Sequence, residues 1–385
     1  MVFDLRPQTI YLTLTGSRAY GTHTEESDFD YRGVACDTLE TKLGFRSPFE
    51  QMVDNEGKTL WKLFSELGVK PNSDLTIFEL GKFVQLALKC NPNIIEILFC
   101  DFSSVLYCHP IFEKLLEHRE DFLSLRAKGA FSGYAFDQLS KLKLHRQWLL
   151  DPPKAPPTRK EFDLPEYNVI SLDEIGAAEA YLKQCLDDFI PYIEGLTPSV
   201  RIEMRNTMFK SLKLAWMALN QTAYPIGNEK RFLHLDEALF QFTARIQGYN
   251  ENFLLLLQRE KEYRNALKNW DDYQRHLKQR NKKRLETEKK FGLDTKNASH
   301  LIRLVRMCRE IVTLGKVLVK RPDAEELQAI RNGAWTYEQL IEYVDRENKE
   351  LEKLARESKL PVQPPIEKIQ NLVIEMHKEF YKIKG

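Results

Sequence analysis

Ile10-Tyr11-Leu12-Thr13-Leu14-Thr15 runs into Gly16-Ser17-Arg18-Ala19-Tyr20-Gly21, and after a short spacer comes Ser27-Asp28-Phe29-Asp30-Tyr31-Arg32-Gly33-Val34. The first six residues mix β-branched, aromatic and leucine side chains and stop at a glycine, the pattern of a strand entering a tight loop. The second stretch alternates strictly, predicting a strand over 27–34 with Asp28, Asp30 and Arg32 on one face and Phe29 and Tyr31 on the other. Two carboxylates on one pleat stand about 6 to 7 Å apart at Cβ. At an effective dielectric near 20 they repel by about 2.5 kcal/mol, which a fold tolerates best with a divalent cation between them. Hard oxygen ligands left partly open suit Mg2+ or Mn2+ and a phosphate-bearing substrate. The glycine lets backbone approach a triphosphate closely, and the Ser17 amide and hydroxyl can donate to it. Taken alone, an Asp-x-Asp pair more often faces solvent on an edge strand; the strand, the Gly-Ser loop and the spacer in this order shift the reading toward function.

Working outward, Asp74 to Leu80 is a third predicted strand after the Pro71-Asn72-Ser73 turn, and helices are predicted over 81–90 and 93–99, with Pro92 at a first turn. From about Ser132 the apolar period becomes helical, over 134–150, 173–193, 199–219, 235–290 and 299–314. The proline-rich stretches 151–157 and 360–365 read as connectors, and no internal repeat is found.

With 43% hydrophobic and 29% charged residues, the 385-residue chain lies far from the disordered extreme and is long enough for two structural units. No run approaches a membrane span, and an acid and a proline interrupt the first residues, so a cytoplasmic, membrane-free protein is expected. The six cysteines form no Cys-x-x-Cys pair, which argues against a structural zinc site and a disulfide framework. The net charge is only +1, so any nucleic-acid contact must be local. From Arg259 to Arg309 sixteen Lys or Arg stand against seven Asp or Glu, a net of +9. Within it Lys278, Arg280, Lys282, Lys283 and Arg284, downstream of Trp270 and Tyr273, are the candidate nucleic-acid contacts; a solvated helix is the equally simple alternative.

Gly16-Ser17-x-Ala19-Tyr20-Gly21 followed by Ser27-Asp28-x-Asp30-x-Arg32-Gly33-Val34 resembles a branch of the DNA polymerase beta superfamily of nucleotidyltransferases associated with RNA ligases in RNA-repair operons or encoded by phages. The likeness runs on through Asp74-Leu75-Thr76-Ile77-Phe78-Glu79-Leu80-Gly81-Lys82-Phe83, Asn91-Pro92-Asn93-Ile94-Ile95-Glu96-Ile97-Leu98-Phe99, Gly133-Tyr134-Ala135 and Lys296-Asn297-Ala298-Ser299-His300-Leu301-Ile302-Arg303. It implies an α+β fold: a polymerase-beta-like domain over 1–128 with a small mixed sheet and helices, then a mainly helical region over 129–385 that closes the cleft and contributes to acceptor binding. It also implies two strand carboxylates and a third acid holding two metals for transfer of a nucleoside monophosphate from a nucleoside triphosphate.

Asp74 is taken as the third acid, with an Asx turn as its structural alternative and Glu79, on the opposite pleat, as the competing ligand. Glu96, among isoleucines, reads as a satisfied structural carboxylate, with Lys82 as its expected partner. Tyr134, Gln138, Lys141 and His145 fall on one helical face, as do Lys296, His300, Arg303 and Met307. Both stripes are expected to face the cleft, Lys141 and Arg303 balancing triphosphate charge and His300 serving as donor or proton carrier. Gly16, Ser17, Arg18 and Arg32 complete the nucleotide-binding set. The expected acceptor is an RNA or tRNA end; a protein or small-molecule hydroxyl, or a non-catalytic nucleotide-sensing role, is the alternative.

Overall fold

The computed structural model describes residues 5–45, 49–54, 60–164, 251–280 and 282–382. The chain divides into two compact units, one made of 1–150 together with 281–385 and the other of 151–280. The first unit is built on a five-stranded mixed sheet of order β3-β4-β2-β1-β5: β1 is Thr9–Thr15, β2 Asp30–Ala35, β3 Gln51–Val53, β4 Asp74–Glu79 and β5 Val105–Cys108. β1 pairs antiparallel with β2 and β5, β4 antiparallel with β3, and β2 runs parallel to β4. With the helices that follow, this is the expected α+β fold.

The sheet is apolar on both faces. One face packs Leu12, Tyr31, Ala35, Leu75 and Ile77 against Phe64 of a short 3-10 segment, Leu60–Leu67. The other, with Tyr11, Val34 and Phe78, carries α2 (Leu80–Leu88), α3 (Pro92–Leu98) and α4 (Pro110–Glu117), which follow the Gly-Ser helix α1 (Gly16–Tyr20). Asn91 caps α3 through its side chain and Pro92 fills the first turn, where its missing N–H costs nothing. The same core continues into α5 (Arg126–Leu150), which lays Phe131, Ala135, Leu139 and Leu142 against the later helices of this unit. At about 1.5 to 3 kcal/mol for each large apolar side chain buried, this seam is a principal source of stability.

Of the second unit, α6 (Glu251–Gln279) and a 3-10 turn at Arg159–Phe162 are described. The Phe162 ring meets Tyr263 edge-on at 5.7 Å, and Arg259 pairs with Asp163 at 3.5 Å. The chain returns to the first unit with α7 (Lys282–Phe291), α8 (Thr295–Leu314), α9 (Ala324–Arg331), α10 (Tyr337–Glu357) and α11 (Ile366–Phe380). α8 starts on an Asp294 cap and ends on Gly315 in the left-handed region.

Several expectations change in detail. The second strand begins at Asp30, because residues 22–29 form a loop and Asp28 precedes the sheet. The single helix foreseen over 235–290 is interrupted between α6 and α7, and its first part, 235–250, lies outside the described residues, as do the helices foreseen at 173–193 and 199–219. The boundary foreseen at 128 falls inside α5, which shares the core of the sheet. Among the described residues no helix is long and apolar enough to cross a membrane.

Candidate active site

β1 ends at Thr15, and Gly16 follows with φ of +68°, a conformation that only glycine adopts without cost. A Cβ at this position would stand 2.4 Å from Asp30 Oδ2, so the turn backbone lies directly on the Asp30 carboxylate. Thr15 and Asp30 are partners across β1 and β2, which brings the turn there. On the other side of β2, Asp30 is in register with Asp74 of β4. Parallel neighbours on one pleat face the same way at a strand separation of about 4.8 Å. Asp28 lies two residues before Asp30, in the loop, and is exposed.

Burial lifts the Asp30 carboxyl above the usual carboxylate range; Asp74 and Asp28 push the same way, against Arg32 and Lys296. Three carboxylates therefore meet at one end of the sheet, next to a turn stripped of its side chain. That donor set fits a hard divalent cation, and Asp28, Asp30 and Asp74 are the residues that would hold it.

Glu79 is placed elsewhere. It sits at the far end of β4, about 17 Å along the strand from Asp74. There it accepts from Lys82 N at 3.0 Å as the cap of α2 and pairs with Lys42. The parity argument that set it on the opposite pleat is thus reinforced by distance.

A cavity of about 290 Å³ opens beside the carboxylates, lined on the sheet side by Gly16, Ser17, Tyr20, Asp28 and Asp30 and on the helical side by Lys296, Ser299, His300, Arg303 and Arg331. α9 and the segment before it reach this position because Arg321 N donates to Tyr20 O at 3.0 Å and Gln328 Nε2 to His23 O at 3.1 Å.

Arg303 does not meet the role expected of it. It is 3% exposed, its guanidinium is paired with Glu96 and stacked 3.9 Å over the Tyr20 ring, and Nη2 donates to His300 Nδ1 at 3.3 Å. Burial opposes its charge, and Glu96 and Tyr20 outweigh burial. A cation neutralised in this way is a strut between α8, α3 and α1, where removing one partner of a buried pair costs about 3 to 5 kcal/mol. Glu96 is indeed a structural carboxylate, but its partners are Arg303 and Tyr20, while Lys82 pairs with Glu50 at 2.6 Å.

His300 is also redefined. Burial, then the charges of Arg303, Lys141 and Lys296, push its pKa down to about 3. Accepting from Arg303 at Nδ1, the neutral ring carries its proton on Nε2, which makes it a hydrogen-bond donor and not a proton carrier near neutral pH. Lys141 is exposed and acts on His300 through its charge, without lining the cavity. Two other members of its stripe face elsewhere: Asn91 Nδ2 donates to Tyr134 OH at 3.0 Å, and His145 faces Glu288 and Asp294.

Arg18 does not line the cavity either. Its guanidinium lies 3.8 Å over the Phe29 ring and donates to Ser27 O at 2.8 Å, bracing the loop that carries Asp28. Arg32 donates to Tyr31 O and Asp74 O from the carboxylate pleat, opposing the negative charge at Asp30. Two cavity cations were not among the expected nucleotide ligands, Lys296 and Arg331. Lys296 belongs to a stripe legible in the sequence, whereas nothing local marks Arg331.

The proposed nucleic-acid run is divided. Lys278 is exposed near the end of α6, and Arg280 follows it in the second unit; the Lys282 and Lys283 side chains lie outside the described residues. Arg284 is engaged in the first unit, donating to Asp294 Oδ2 at 2.7 Å and Asn297 Oδ1 at 2.9 Å.

Residues 4–149 match RlaP, the RNA repair pathway DNA polymerase beta family, which bears out the resemblance to its RNA-repair-associated nucleotidyltransferases. Neither curated proteins nor solved structures gave a match.

Proposed function

We propose that this protein is a metal-dependent nucleotidyltransferase that moves a nucleoside monophosphate from a nucleoside triphosphate to an acceptor hydroxyl, with an RNA or tRNA end as the acceptor. The observation that carries this reading is the junction of Gly16 with Asp30, in register with Asp74 and next to Asp28. The acceptor oxygen attacks the α-phosphorus and pyrophosphate leaves. A pair of Mg2+ or Mn2+ ions bound there would lower the pKa of the attacking hydroxyl and offset charge on the departing pyrophosphate. Asp28, Asp30 and Asp74 orient this end of the site, and Asp74, exposed at the start of β4, takes the hydroxyl proton. Ser17 and the His300 Nε2–H donate to phosphate oxygens, and Lys296 and Arg331 supply the positive charge. Arg303 acts at one remove, by fixing Tyr20 and the His300 ring.

The test is incubation of the whole chain with each labelled nucleoside triphosphate, Mg2+ or Mn2+, and either total RNA or a protein extract. Label entering RNA, lost in Asp30→Asn, is the expected result. The division of the basic run and the engagement of Arg284 favour a second reading, transfer to a protein or small-molecule hydroxyl, which the same experiment reports as label in the other fraction.

A further inference from the structure

Next to the cavity just described lies a larger one of about 780 Å³, which shares Glu26, Lys296 and Arg331 with it. Its wall contains Glu288 from α7 and Asp294, the cap of α8. Both are almost entirely buried, at 5% and 2% exposure, and His145 of α5 points at them. His145 Nδ1 lies 3.6 Å from Asp294 Oδ2 and 3.9 Å from Glu288 Oε1, and the three donor atoms all fall within 4.8 Å of one another.

We propose that His145, Glu288 and Asp294 form a second divalent-metal centre, separate from the strand carboxylates, with Zn2+ as the preferred ion. An ion bound at about 2.1 Å to each ligand in tetrahedral array sets donors about 3.4 Å apart, and both His145 pairs are within about 0.5 Å of that spacing. One imidazole nitrogen with two carboxylates is a borderline donor set that suits Zn2+ better than Mg2+. Arg284 acts as an outer partner, holding Asp294 through Nε to Oδ1 at 3.3 Å and Nη2 to Oδ2 at 2.7 Å, while Asn297 N donates to Oδ1 at 3.2 Å. Ligating carboxylates are commonly fixed by such second contacts. Three protein ligands leave a coordination position for water or for an anionic group of a molecule in the larger cavity. The centre does not depend on nucleotidyl transfer by the sheet carboxylates.

The experiment uses the full chain with Asp28→Asn, Asp30→Asn and Asp74→Asn combined, so that the strand site is silent. After chelator treatment it is equilibrated with ZnCl2, desalted and analysed for metal by mass spectrometry, with the thermal midpoint measured before and after loading. One equivalent of zinc and a raised midpoint are expected, both lost on adding His145→Gln. In parallel the otherwise wild-type chain is loaded with Co2+, whose visible absorption reports nitrogen and oxygen ligation; His145→Gln should remove that spectrum and leave the circular dichroism unchanged. Zinc at background in the triple variant with no Co2+ spectrum in the wild type means an ion-pair network only and overturns the proposal. Retention of zinc after His145→Gln overturns it equally.

Discussion

Replacing Gly16 by alanine separates the site from the fold more cleanly than removing a carboxylate does. At φ of +68° an alanine pays about 1 to 2 kcal/mol for the left-handed conformation. Its Cβ would arrive 2.4 Å from Asp30 Oδ2, about 1 Å inside ordinary contact. The obstructing atom is the end of a side chain, so Asp30 swings aside and the fold loses little beyond the backbone term. At about 2.1 cal/mol/K of unfolding entropy per residue, for 385 residues that is a fall in thermal midpoint of about 1 to 3 °C. Catalysis is less forgiving, since a displacement of about 1 Å in a reacting group costs on the order of 100-fold. The assay is kcat/KM for nucleotide incorporation beside a calorimetric scan on the same preparation. A Gly16→Ala enzyme that turns over at the wild-type rate would refute the reasoning, because Asp30 would then be shown to do its work from a position the structure does not contain.

Asp28→Asn and Asp30→Asn should each abolish transfer without lowering the thermal midpoint. Because the folded pKa of Asp30 is raised, its ionisation weakens the fold as pH climbs past the ordinary value of 3.8, and the Asn variant should lose that slope in stability against pH. Asp74→Asn should cost turnover severely at an unchanged midpoint, and Glu79→Gln the reverse, through loss of about 1 kcal/mol of capping and of the Lys42 pair; a reversal in a paired kinetic and melting comparison would move the third ligand to Glu79. His300, held near pKa 3 against an ordinary 6.5, should give no inflection near 6.5 in the pH profile of kcat/KM, and its burial in neutral form subtracts stability as pH falls from about 6.5 toward 3; an NMR titration of the ring with a midpoint near 6.5 would contradict both. Glu96→Gln and Arg303→Met should each destabilise by about 3 to 5 kcal/mol, while the double substitution loses less than their sum; additive denaturation energies would mean the two side chains do not act as a pair.

The carboxylate end of the sheet was legible because its information is local. A glycine between a strand and a hydroxyl residue, then acids two apart, constrains backbone and charge within fifteen positions, and parity alone set Asp74 apart from Glu79. What stayed hidden depends on partners far away in the chain. Arg303 reads on its helix as one more cation on a polar stripe, and only the arrival of Glu96, 207 positions earlier, converts it into a buried strut. β3 is three residues long and β5 four, too short for a period to emerge, and both owe their existence to neighbours that leave edges to be paired. The basic run looked continuous because composition ignores the interruption between Gln279 and Lys282, across which the chain passes from one unit to the other.

The cavity beside Asp30 takes one wall from residues 16–30 and the other from 296–331, with the whole second unit threaded between them in sequence. During synthesis from the N-terminus the sheet leaves the ribosome first, at about 5 to 20 residues per second, and waits tens of seconds for α8 to cover its core. Over that interval the carboxylates exist without Lys296, His300 or Arg331, so the cavity has only its sheet wall. A chain that stops before residue 296 would lack both the helical wall of the cavity and the α8 side chains that share the core of the sheet.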